Sequence, residues 1–109
     1  MSAPITIDNL QPRFAAVVRD ALLDPPLIIN MLGVSRATAY NWLKPGAKIS
    51  RRSVNGLALF VRCVELAIER ELLPVQVGGV FSTSEIILQM KQELASQEKA
   101  AIDKASSAA

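Results

Sequence analysis

Histidine is absent, and cysteine occurs once, at Cys63, among 109 residues. A lone cysteine excludes an internal disulfide, and no cluster of metal ligands can be assembled, so no metal site is expected. Cys63 lies between Arg62 and Val64 in an apolar stretch and reads as a buried small hydrophobe. No apolar run approaches the roughly 18 residues that span a bilayer, so no membrane partner is expected. Met1 to Leu10 lacks a basic start and a long apolar core. It does not read as a signal peptide, and a cytoplasmic location is the expectation. No nucleophile motif and no glycine-rich phosphate loop occur, and there is no close pair of carboxylates in the basic stretch described next. The chain is therefore not expected to be an enzyme, and neither a cofactor nor a small-molecule ligand is indicated. The most informative absence is local. Between Pro25 and Val64 there is no acidic residue, while Arg36, Lys44, Lys48, Arg51, Arg52 and Arg62 all fall there. A block of one sign inside a chain of net charge +2 points to a polyanionic partner.

What is present reads as helix. Half the residues are apolar, enough for one folded domain. Residues 1 to 10 read as an arm, with Asp8 or Asn9 capping a first helix from about Pro12 to Leu23. Phe14, Val17, Val18, Ala21 and Leu22 supply its buried stripe. Asp24-Pro25-Pro26 ends that helix and starts the next, because proline disfavours the α conformation in the residue before it yet fits a helix's first turn. A short helix to about Leu32 follows, then Gly33, then a helix from Arg36 to about Leu43 capped by Ser35 and stopped by Pro45-Gly46. Ser50 caps a long helix through about Leu72, stopped before Pro74. Residues 75–81 allow a short β segment with a turn at Gly78-Gly79. Ser82 with Glu85 makes a capping box for a last helix whose stripe is Ile86, Ile87, Met90 and Leu94. The expected fold is all-α, with four to five helices. Its expected divisions are residues 1–73, a C-terminal extension over 74–104, and a disordered tail over 105–109.

Leu27 to Leu43, LIINMLGVSRATAYNWL, carries the functional signal. Gly33 tolerates a positive φ at a tight corner, Val34 plugs that corner, and Ser35 caps the second helix. Ile28, Ile29, Leu32, Val34, Ala39 and Trp42 are spaced to close the two helices on each other. Here the chain resembles the phage-repressor (Cro-like, lambda-repressor-like) helix-turn-helix family. The likeness rests on Leu32-Gly33-Val34-Ser35 and Trp42, continues through Gly46, Val54, Leu57 and Ala58, and covers about residues 24 to 64. The family usually has a small residue where Ile29 stands and a branched aliphatic where Ala39 stands. The two positions face each other, so the exchange conserves core volume. Pro25-Pro26 replaces polar residues that often open the family's first helix.

The resemblance implies a sequence-specific regulator of transcription, repressor-like, of a phage or mobile element, reading double-stranded DNA. Ser35, Arg36, Ala37, Thr38, Tyr40 and Asn41 are then the expected base-reading positions. Lys44, Lys48, Arg51 and Arg52 are the expected phosphate contacts. The long helix shows a second apolar stripe, Leu59, Leu66 and Leu73 with Phe60 and Cys63 beside it. It must be covered by the last helix or by a second subunit, and a homodimer is the favoured reading. Two alternatives stand beside the regulator. One is a DNA-binding packaging or assembly protein such as a phage small terminase subunit. The other is a protein-binding adaptor or antitoxin.

Overall fold

The computed structural model describes residues 4–75 and 81–107, the stretch 98–107 as helix backbone only. It is all-α. The described residues form α1 (Ile7–Asp20), α2 (Pro25–Leu32), α3 (Arg36–Trp42), α4 (Arg51–Glu69) and α5 (Thr83–Ser107). No strand occurs among them, and most of the 75–81 segment expected to be extended lies outside the described residues. No helix among them is long and apolar enough to cross a membrane.

The first helix starts a turn and a half earlier than its sequence suggests. Thr6 is the cap: its Oγ1 accepts the Asn9 N–H at 3.3 Å, and the Asn9 Oδ1 accepts the Thr6 N–H at 2.7 Å. This is a capping box with asparagine in the place usually held by glutamate or glutamine, so the spacing alone does not announce it. Pro12 is consequently inside the helix. It cannot donate to the Asp8 carbonyl, but both residues are exposed, where solvent takes the bond at low cost.

Helices α1 and α4 end by the same device. Leu22 N–H donates to Arg19 O and Leu23 N–H to Val18 O; Glu71 N–H donates to Ile68 O and Leu72 N–H to Ala67 O. These are Schellman pairs, and they put Leu22 at φ +55° and Glu71 at φ +62°, the left-handed region where glycine is usual. With no glycine at either site, the sequence extends both helices too far, to Leu23 and Leu72.

One core holds all five helices. Leu10, Phe14 and Val17 from α1 meet Ile28 of α2, Ala39 and Trp42 of α3, Leu57, Val61 and Val64 of α4, and Ile86, Ile87 and Met90 of α5. Phe14 is its centre, edge-on to Trp42 with ring centroids 6.3 Å apart and tilted against Phe60 at the same distance. Arg13 Nε donates to Glu65 Oε2 at 2.8 Å, with a second guanidinium contact to Oε1, and so ties α1 to α4.

Two expectations are corrected here. Helix α4 packs on α5 of the same chain, and Phe60, Cys63 and Leu73 are buried within the monomer, so they cannot form a dimer seam. Leu59 and Leu66 are half-buried against the same core. The tail expected to be disordered over 105–109 is helical in its first part, since α5, which contributes three side chains to the core, runs on to Ser107. Burial of Cys63 pushes its thiol pKa up, against the opposing fields of Lys91 and Arg62.

The α4–α5 contact has an electrostatic clasp, the Arg70 guanidinium on the Glu93 carboxylate. The hydrogen bond from Arg70 holds the Glu93 carboxyl below its usual range. A depressed carboxyl contributes stability above its unfolded-state pKa and loses it as pH falls through the lower folded value. Glu93→Gln is therefore expected to remove one part of the acid-induced loss of stability. Urea midpoints measured across the acid range check this: wild type and variant should converge at the lowest pH.

Candidate nucleic-acid interface

Asp24 is extended and its carboxylate accepts the Leu27 N–H at 3.0 Å, with Pro25 and Pro26 in the first turn of α2. The prolines need no hydrogen-bond partner there, so a single side chain caps the helix. Gly33 closes it in the left-handed conformation, φ +65° and ψ +33°, its N–H on Ile29 O at 2.9 Å. A Cβ at Gly33 would meet no atom within 4 Å. The demand for glycine is conformational, not one of space. Val34 packs half-buried against the core. Ser35 then caps α3: its Oγ accepts the Thr38 N–H at 3.1 Å and donates to Thr38 Oγ1 at 2.9 Å.

The α3 helix has two distinct sides. Ala39 and Trp42 face inward and are buried. Trp42 is held twice from α1, by the edge contact with Phe14 and by Gln11, whose Nε2 donates to the Trp42 carbonyl at 3.0 Å. Among the described residues Gln11 is the buried polar one. Its position three residues before Phe14 puts it on the inner side of α1, but periodicity does not announce its distant partner. Outward lie Arg36, Ala37, Tyr40 and Asn41, all exposed, with Thr38 half-buried at the margin. Tyr40 does not stack on the core: it is 44% exposed, and the Arg36 guanidinium carbon stands 5.8 Å from its ring centroid. That is cation–π range.

The chain leaves α3 through Lys44 and turns at Gly46, reaching α4 by way of Lys48 and Ser50. Lys44, Lys48, Arg51 and Arg52 are all exposed, and none forms an ion pair among the described residues. Ser50 occupies the cap position of α4, but its side chain makes no capping hydrogen bond; its Oγ donates to Ser53 Oγ instead. Arg51 and Arg52 thus open a helix whose first N–H groups have no side-chain acceptor. The expected base-reading residues are brought together on one short helix with Ser35 and Thr38 engaged in its cap, and the four expected phosphate contacts follow directly in the chain. Among the described residues no group of histidine, cysteine and carboxylate side chains is placed to hold a metal ion.

Comparison with protein-family models, with curated proteins and with solved structures gives no match.

Proposed function

We propose that this protein binds duplex DNA, with α2 and α3 acting as a helix-turn-helix and the outer side of α3 entering the major groove. The observation that carries the reading is the division of α3. Its inner side is locked to α1 through Trp42, while Arg36, Ala37, Tyr40 and Asn41 stand in solvent within a stretch free of acidic residues. A rigid helix with an exposed polar side, flanked by unpaired cations, is what groove reading requires.

Roles follow from chemistry. Arg36 matches the two acceptors of guanine, and Asn41 the donor and acceptor of adenine. Ala37 and the Thr38 methyl suit the thymine methyl group. Ser35 is committed to the cap. Tyr40 supports Arg36, its ring already under the guanidinium in the free chain. Lys44, Lys48, Arg51 and Arg52 fix register on phosphates, the last two reinforced by the open N-terminus of α4. Occupancy of a preferred site would make the protein a repressor-type regulator. A second copy on a palindromic site would have to join through a surface other than Phe60, Cys63 and Leu73.

Selection of bound duplexes from a random pool tests the proposal. A preferred sequence is expected, and binding should fall steeply with salt. Arg36→Ala should lose about 1–3 kcal/mol of discrimination at one base pair while random duplex is bound nearly as before. A protein that ignores duplex DNA at low salt would sink the reading.

A further inference from the structure

A cleft of about 450 Å³ separates the start of α1 from the segment that carries Lys48. Its walls are apolar, drawn chiefly from Leu10, Pro12, Ile49 and Val54, and Asp8 and Lys48 stand among its lining. These two opposite charges do not pair with each other. Gln11 also lines the cleft, and only 8% of it is exposed. Its Nε2 is spent on the Trp42 carbonyl, whereas its Oε1 accepts no hydrogen bond among the described residues. No fully buried side-chain oxygen among the described residues is left without a partner, so that oxygen, on a residue that lines the cleft, is not fully buried.

We infer that this cleft binds a small zwitterion with an apolar side chain, an α-amino acid in chemical class. The ammonium group would meet two acceptors, the Asp8 carboxylate and Gln11 Oε1. The carboxylate would meet Lys48, and the side chain would displace water from the Leu10, Ile49 and Val54 walls. The volume lies in the ordinary range for small-ligand pockets. Resting on the DNA-binding reading above, the ligand is an antagonist: it draws Lys48 off a phosphate and engages the amide that anchors α3.

The test uses the full chain and L-leucine, L-isoleucine, L-methionine and L-phenylalanine as probes, with N-acetyl-L-leucine and L-leucinamide as charge-blocked controls. At about ten times its Kd an amino acid should raise Tm by roughly 5 °C and shift the amide signals of Gln11 and Trp42. Both blocked forms should fail. Asp8→Asn should abolish the effect while leaving DNA affinity unchanged, since Asp8 has no part in the DNA face. With ligand bound, the salt slope of DNA binding should fall by about 1. Absence of any Tm or signal shift at millimolar probe overturns the inference. So does equal binding of the blocked forms, or an unaltered response in Asp8→Asn. Ligand binding is read without DNA present, so its failure is separable from failure of the DNA-binding proposal.

Discussion

Phe14→Ala should remove about 3–5 kcal/mol of folding stability, the usual loss when a buried phenylalanine is truncated. The side chain is fully buried and touches both Trp42 and Phe60. The cavity would open where α1, α3 and α4 meet, and these helices cannot collapse into it without giving up their other contacts. Domains of this size hold only about 5–15 kcal/mol in total, so the variant stands near the edge of folding. The proposed DNA binding should fail with it, because Trp42 loses the ring that orients α3. Phe14→Leu keeps most of the volume and should retain much of the stability. Denaturant midpoints followed by the fluorescence of Trp42, the chain's single tryptophan, measure both. A loss below about 1 kcal/mol for Phe14→Ala would contradict the central place given to this ring.

The paired substitution Arg51→Ala and Arg52→Ala is expected to act with opposite signs on binding and on stability. Both cations open α4, at the positive end of the helix dipole and without a side-chain cap nearby. Each is therefore mildly unfavourable to folding, by about a few tenths of a kcal/mol. Removing them should leave the fold unharmed or slightly firmer. Under the DNA-binding proposal they are phosphate contacts, so affinity should fall alike for preferred and random duplexes. The slope of log affinity against log salt should flatten by about 2, one contact for each arginine. Titrations at several salt concentrations, set beside thermal unfolding of the same samples, separate the two effects. Loss confined to the preferred duplex would instead place these arginines among the base-reading groups.

The same two regions show how far sequence reasoning reaches. Capping chemistry is local, and where the chain uses ordinary residues the helix starts are legible: Asp24 before the two prolines, Ser35 after Gly33, Ser82 before α5. Where it uses unusual ones, the boundaries slip. Asn9 answers Thr6 in place of glutamate, and Leu22 and Glu71 take left-handed conformations that glycine ordinarily holds. At Leu22 and Glu71 the local preference is overridden by tertiary packing, Leu23 and Leu73 being buried just beyond them, which the residue type does not announce.

The outward positions of α3 were readable because an amphipathic helix sorts its residues by period, and the acid-free stretch was readable because charge can be counted. Gln11 was not, since its value lies in reaching a carbonyl 31 residues away. The cover on α4 was not either. A helix apolar on two sides demands two partners, but the pattern is indifferent to whether the second belongs to the same chain.

The sequence by itself determined an all-α chain, the corner at Gly33, the outward arginine and asparagine, and the single-signed block of charge, because each depends on residue type and on spacing within a few turns. Only the tertiary structure decided that Phe60, Cys63 and Leu73 are buried within the monomer, in a core to which α5 contributes, and that Gln11 and Phe14 hold α3 in place. Those outcomes follow from which apolar faces meet across long stretches of chain, and hydrophobic attraction, being non-directional, leaves that choice to the packing of the whole.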